Sequence, residues 1–288
     1  MVTPRIRSIL VPTDFSEEAR VAFEHALRLS VAFKADLEIF HVEPKNWTSD
    51  WHWAPKVIET LHRWGYLPVD ATEADLARLG IRVHRQMSSG DSADHAIMME
   101  MANTHADLIV MATHGRHGVD RWIQPSVAAP VALKGAALVL LIPPNVKGFV
   151  DHETGGGGLG RVLVPIDHRP HPAPAFDAAV LLTSHFPAEE VELATFHVGA
   201  QRPEVDLLRP GKGWKIFHWT SEGLVVSQIA DTARAWQASM VVSVTEGRRN
   251  FLDAVRGSTV ERLVDALTCP LLIVPADWTE ASEAQPLA

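Results

Sequence analysis

The chain has 288 residues, of which 47% are hydrophobic and 21% charged, a composition typical of a globular protein with one large or two ordinary domains. A formal net charge of -9 and a pI near 5.9 argue against nucleic acid as a partner, because binding a polyanion requires clustered Lys and Arg. The N-terminal apolar run is too short for a signal peptide, and the longest run, residues 136–142, is strand-sized, so we expect no membrane span.

The chain contains one cysteine, Cys269, which has no partner for an intramolecular disulfide. A single thiol is typical of a reducing compartment, so we expect a cytoplasmic protein. Cys269 begins the strand-like stretch CPLLIVP, a position that indicates packing and not nucleophilic chemistry.

In the first half of the chain, short β-rich runs alternate with helical patterns, which predicts a parallel sheet with crossover helices. The first helix is predicted to begin after Asp14 or Ser16, either of which is a good N-cap. A helical pattern also fills residues 54–79, and another helix is predicted from about Ser92. The strand-like runs are ILVP, LEIFHV, IRVHRQM, DLIVMA and ALVLLIP.

An internal repeat organises the chain. RSILVPTDFS (7–16) returns as GRVLVPIDHR (160–169) at an offset of 153 residues, and IFHV (39–42) returns as TFHV (195–198) at an offset of 156. LIVMATHG (108–115) and ALVLLIP (137–143) return as MVVSVTEG and CPLLIVP, both at an offset of 132. The change in offset predicts that the second copy lacks 24 residues between its second and third strands, which removes one helix. Three prolines after Asp167 are expected to delay its first helix until about Ala175.

The two copies are separated by a glycine-rich stretch. The run Gly155–Gly158 precedes a strand, whereas phosphate-binding glycine loops follow one, so it is interpreted as a flexible linker. The predicted organisation is a first domain over residues 1–147, a linker over 148–160, a shortened second domain over 161–277 and a tail over 278–288.

The motifs ILVPTDFSEEA, FHV, DLIVMATHGR and AALVLLIP, most of which recur in the same order, resemble the universal stress protein family over nearly the whole chain. The resemblance implies an α/β fold: two tandem five-stranded parallel sheets with helices on both faces, of the Rossmann-like adenine-nucleotide α-hydrolase type. The second copy lacks one helix. The resemblance also implies that the copies join as a pseudo-dimer through their fifth strands, here residues 138–142 and 271–274.

Many members of this family bind ATP or AMP through a pattern of Gly, two residues, Gly, nine residues, then Gly followed by Ser or Thr. Backbone N–H groups at such a turn and at the next helix N-terminus hold the phosphates. Proline removes one of these donors, and a lost charge-assisted hydrogen bond costs about 1.5–3 kcal/mol. In the first copy Ala112, Gly115 and Pro125-Ser126 occupy the pattern; in the second copy Val244, Gly247, Gly257-Ser258 and the following Thr259 occupy it, with Arg248 beside the phosphate position.

Val244 would bring a β-branched side chain to the turn, so the second copy is expected to bind phosphate less well than the family pattern but better than the first. By resemblance, Asp14 and Asp167 match the position on the adenine side of the ligand, with Val42 and Val198 beside them. An Asp after a strand also commonly caps the next helix, and on the residues alone capping is the favoured interpretation.

The histidine and tryptophan clusters each have a functional and a structural interpretation. A zinc site at His114, His117 and Asp120, or at His168 and His171, is less favoured than scattered surface histidines. The tryptophans of NWTSDWHW (46–53) are expected to pack and not to stack on bases.

The sequence contains no nucleophile elbow, P-loop or dinucleotide motif, which favours a non-enzymatic stress-response module. Its expected ligands are ATP or AMP, with no metal beyond nucleotide-associated Mg²⁺. Protein partners, including a second copy of the chain in a homodimer, are also expected. The alternatives are a slow nucleotide hydrolase or transferase, and an interaction scaffold in which both nucleotide sites are lost.

Overall fold

The computed structural model describes residues 6–43, 56–90, 92–113, 137–205, 213–246 and 259–278. Within these ranges ten strands form a single sheet in the order β3-β2-β1-β4-β5-β10-β9-β6-β7-β8. The strands are β1 Ser8–Pro12, β2 Asp36–Glu43, β3 Val83–Ser89, β4 Leu108–Ala112, β5 Leu138–Ile142, β6 Leu159–Pro165, β7 Pro187–Val198, β8 Lys215–Ser221, β9 Met240–Thr245 and β10 Leu271–Pro275.

The sheet consists of two equivalent halves. Every strand pair within a half is parallel, as predicted for strands connected by crossover helices. The halves meet where β5 and β10 pair antiparallel, with Leu140 opposite Leu272. Both leucines are fully buried, so the junction is part of the hydrophobic core. The join through the fifth strands, expected from the family resemblance, is confirmed.

Helices cover both faces of the sheet. One face carries α1 Glu17–Phe33, α2 Val57–Arg63, a 3-10 helix Glu73–Leu79 and α4 Ala173–His185; the other carries α3 Ala93–Thr104, α5 Val225–Ala235 and α6 Thr259–Ala266. The α/β fold class predicted from the alternating pattern is therefore confirmed.

The first helix begins where a capping side chain satisfies its exposed amides. Ser16, not Asp14, is the N-cap of α1, and its Oγ accepts a hydrogen bond of 3.1 Å from the amide of Ala19. Glu17 and Glu18 in the first turn favour the positive end of the helix dipole. α3 begins after Ser92, as predicted, although the Ser92 side chain makes no capping hydrogen bond.

The two halves differ in the connection between their second and third strands. In the first half this connection contains α2 and the 3-10 helix, and Leu61 of α2 and Trp64, which directly follows α2, are buried in the same core cluster as Leu37 and Ile39 of β2. In the second half, the described parts of the same connection, 199–205 and 213–214, contain no helix. This agrees with the predicted loss of 24 residues.

The segment Gly155–Gly158, interpreted from the sequence as a flexible linker, packs against the first half. Arg28 Nε donates to the carbonyl of Gly155 at 2.9 Å, and Trp64 Nε1 donates to the carbonyl of His152 at 2.9 Å. A Cβ on Gly155 would lie 2.4 Å from the Trp64 ring. Glycine is thus required here for close approach, a role that sequence alone does not distinguish from flexibility.

A buried histidine fixes the start of the same connection. His25 on α1 is fully buried; its Nδ1 lies 2.8 Å from the carbonyl of Val21, and its Nε2 accepts from the amide of Phe149 at 3.0 Å. Burial lowers the pKa of His25 to about 4, so the imidazole is neutral at pH 7 with its proton on Nδ1. The Phe149 ring packs edge-on against it at 4.7 Å between ring centroids.

Cys269 packs at the head of β10 with 5% of its surface exposed. Burial raises the pKa of the thiol to about 12, so the reactive thiolate is scarce at neutral pH. This geometry agrees with the predicted packing role.

Candidate functional site

In each half the strand order reverses at the carboxyl edge of the sheet beside the first strand, β1 or β6, whose two sheet neighbours both follow it in the chain. The strand triplets are β2-β1-β4 and β7-β6-β9, and ligands of open α/β sheets bind at such switch points. The described candidate residues lie at this edge: Asp14, Val42 and Ala112 in the first half, and Asp167, Val198 and Val244 in the second.

In the first half, Asp14 belongs to a tight turn between β1 and α1. Its Oδ1 accepts from the amide of Ser16 at 3.0 Å, and Thr13 Oγ1 accepts from the amide of Phe15 at 3.1 Å. Phe15 has a φ of 65°, a left-handed conformation that is unfavourable for a bulky residue. The carboxylate of Asp14 therefore stabilises the turn before the helix, close to the capping interpretation, although Ser16 is the cap itself.

A buried histidine supports this turn from the neighbouring strand. His41 Nδ1 lies 2.7 Å from the carbonyl of Thr13, and the rings of His41 and Phe15 stack with centroids 4.3 Å apart. Since a carbonyl oxygen only accepts, Nδ1 carries a proton and donates to it.

The second half repeats the device at the equivalent positions. His197 Nδ1 lies 3.0 Å from the carbonyl of Ile166, and the His168 ring is edge-on to the His197 ring at 6.0 Å between centroids. The repeat offsets place His197 at the position of His41 and His168 at the position of Phe15. In both halves, a histidine near the end of the second strand fixes the backbone that follows the first.

Sequence reasoning missed these histidines. It interpreted histidines as scattered over the surface, yet His25, His41 and His197 are buried. The sequence does contain a signal for two of them, because the motif FHV occurs at the same position of both copies and includes His41 and His197.

The first turn of the second half exposes its carboxylate more than the first half does. Asp167 is exposed, whereas Asp14 is half-buried. Asp167 Oδ1 accepts from the amide of His168 at 2.7 Å, and no described residue donates to its Oδ2. His168 Nε2 in turn lies 3.0 Å from the carbonyl of Gln201 in the shortened connection.

The first positions of the glycine pattern lie within strands and not in turns. Ala112 is the last residue of β4 and is buried. Val244 lies within β9, pairs with Val274 of β10 and packs against the core on the α4 face. The expectation that Val244 brings its side chain to a turn is therefore wrong, because the strand continues past it to Thr245.

The remaining candidates are only partly described. Gly115, Ser126, Gly247, Arg248, Gly257 and Ser258 lie outside the described residues, as do the tryptophans of NWTSDWHW and the group of His114, His117 and Asp120. Thr259 is the first residue of α6 and is exposed, so Gly257-Ser258 directly precedes a helix in the sequence.

The sequence matches the model of the universal stress protein family over residues 5–143 and 220–275. The chain belongs to the universal stress protein family. A universal stress protein of Methanocaldococcus jannaschii is 27% identical over 146 residues, which cover 49% of this chain and 84% of that protein. The match spans about one half of the tandem chain.

Two solved structures share the tandem architecture of this universal stress protein. One, from Archaeoglobus fulgidus DSM 4304, superposes with a TM-score of 0.65 at 16% identity, covering 96% of this chain and 98% of that chain. The other, described as a putative universal stress protein from Pseudomonas aeruginosa UCBPP-PA14, has a TM-score of 0.61 at 17% identity, covering 94% and 93%. At these identities the likeness shows the fold.

The described ranges contain neither a membrane-spanning helix nor a cluster of metal ligands. No helix there is long and apolar enough to cross a bilayer. Nor does this part of the chain place three or more His, Cys, Asp or Glu residues together as metal ligands, and His168 and His171 belong to no such group.

Proposed function

We propose that this universal stress protein acts as a non-enzymatic regulatory module that binds ATP or AMP weakly, mainly in its second half. The observation that carries the proposal is the exposed carboxylate of Asp167 at the carboxyl end of β6, in the half where Gly257-Ser258 leads directly into α6. A helix N-terminus favours phosphate because its first amides have no partner within the helix.

The two halves differ in what they offer a nucleotide. In the first half, Pro125 removes an amide donor before Ser126, and Asp14 is half-buried in its own turn. In the second half, glycine occupies the corresponding position 257 and the free Oδ2 of Asp167 can accept an N–H from a base. Both differences favour the second half.

Three measurements on the full-length protein separate the proposal from its alternatives. They are mass spectrometry of ligand carried through purification, calorimetry with ATP and AMP, and a phosphate-release assay. Binding without turnover supports the regulatory module. Turnover would instead indicate a slow hydrolase, and a protein that binds neither nucleotide would indicate an interaction scaffold.

Replacing Gly257 by proline is expected to weaken nucleotide binding about tenfold to a hundredfold, because one amide donor to phosphate is lost. The matched substitution in the other half, Pro125→Gly, restores a donor there and is expected to leave the main affinity unchanged. Calorimetry with ATP on both variants checks this. Unchanged affinity in Gly257→Pro would contradict the placement of the site in the second half.

A further inference from the structure

A cavity unrelated to the glycine pattern lies between the first turns of α1 and α2 in the first half. Its volume is about 250 Å³, the space of about eight water molecules at about 30 Å³ each. Residues of the β1–α1 turn and both helices line it: Thr13, Phe15, Ser16, Glu17, Arg20, Phe23, Glu24, Lys56, Glu59, Thr60 and Arg63. The α2 wall comes from the connection that is shortened in the second half, where the described residues 199–205 and 213–214 contain no helix to form such a wall.

A buried carboxylate forms the floor of the cavity. The Glu24 side chain is 4% exposed, and three groups contact its Oε1: Arg20 Nη1 at 2.9 Å, Arg63 Nη2 at 3.0 Å and His152 Nδ1 at 2.6 Å. No described residue donates a hydrogen bond to Oε2. This oxygen is nevertheless not fully enclosed by protein atoms. Because Glu24 lines the cavity, its Oε2 is presented there as an unused acceptor.

The charges around the cavity are matched in pairs. Arg20 contacts Glu17 at 2.6 Å as well as Glu24, Arg63 contacts Glu24, and Lys56 contacts Glu59 at 3.0 Å. No cation among the lining residues is left without a carboxylate, so the site has no surplus positive charge for an anion. The polar atom without a donor among the described residues is an acceptor, Oε2 of Glu24, and an acceptor is satisfied by an N–H donor.

The two phenylalanines of the lining favour a ligand with an aromatic ring. Phe15 and Phe23 both line the cavity, and the hydroxyls of Thr13 and Thr60 add polar contacts. Aromatic side chains beside fixed polar groups are typical of small-molecule sites, and here the polar groups are the more numerous. We infer that this cavity binds a small aromatic or heteroaromatic amide or amine, whose N–H donates to Glu24 Oε2.

The inference is independent of nucleotide binding, and its test uses benzamide and benzoate as probes on the full-length protein. They have the same shape, but benzamide presents N–H donors where benzoate presents only acceptors and a negative charge. Ligand-observed NMR titration is expected to give at least tenfold tighter binding of benzamide. Equal affinities, or no binding of either probe, would overturn the inference.

Two variants locate the binding. Thr60→Leu fills the cavity without touching the ion pairs and is expected to lower benzamide affinity at least tenfold; Thr220→Leu, on an exposed strand position, is the matched control. Glu24→Gln can keep its oxygen toward the arginines and present its NH₂ to the cavity, so it is expected to reverse the preference toward benzoate. Full affinity in Thr60→Leu would overturn the inference even if Glu24→Gln fails to fold. ATP calorimetry on Thr60→Leu, expected to be unchanged, separates this cavity from the nucleotide site.

Discussion

Gly148→Ala is expected to destabilise the protein by about 2–5 kcal/mol, from about 1–2 kcal/mol for a left-handed alanine and about 1–3 kcal/mol for overpacking. Gly148 has a φ of +74°, and a Cβ there would lie 2.1 Å from Nε2 of His25. His25 is buried and bonded at both ring nitrogens, so it has no room to withdraw. The clash would push the connection between the two halves, residues 148–160, away from His25 on α1.

Gly65→Ala is the matched control. Gly65 has a φ of +76°, but nothing lies within 4 Å of its missing Cβ. It therefore carries the backbone cost of about 1–2 kcal/mol and no clash. The free energies of unfolding of both variants, measured by urea denaturation, give the contribution of packing by difference. Equal losses would show that the connection is not held by His25.

Glu38→Gln is expected to stabilise the protein at pH 8 and to have little effect at pH 4. Glu38 on β2 is 7% exposed, its Oε1 is buried without a partner among the described residues, and burial together with Glu100 raises the pKa of its carboxyl to about 7. The folded state therefore favours the protonated acid. That contribution is complete below the unfolded pKa near 4.5 and is lost as the pH rises through about 7.

The expected size is about 2 kcal/mol, because a pKa unit corresponds to about 1.4 kcal/mol and partial solvent access reduces the full shift. Urea denaturation of wild type and Glu38→Gln between pH 4 and pH 8 measures it. Glu222→Gln, at an exposed position between β8 and α5, is the control for the removal of a surface carboxylate. A constant difference between wild type and Glu38→Gln across this range would contradict the assignment.

The strands and most helix starts could be predicted because their signals are local. ILVP, DLIVMA and ALVLLIP are short β-rich runs, and Ser16 and Ser92 sit at helix N-termini. Repetition of these signals in both copies also revealed the tandem organisation and the shortened connection. Assigning the nucleotide positions needed the family pattern, because spacing alone does not say which backbone faces a ligand.

What the sequence by itself determined is the alternation of strands and helices, the duplication and the family. Only the tertiary structure decided that the glycine-rich connection is packed and that His41 and His197 hold the turns after β1 and β6. It also decided that Glu24 is buried against two arginines and a histidine, whereas Glu38 is buried with one oxygen lacking a partner among the described residues. Each of these depends on which groups meet across long separations in the chain. The same glycine, histidine or glutamate would be flexible, exposed or solvated with different neighbours, because desolvation and hydrogen bonding are properties of the folded surroundings.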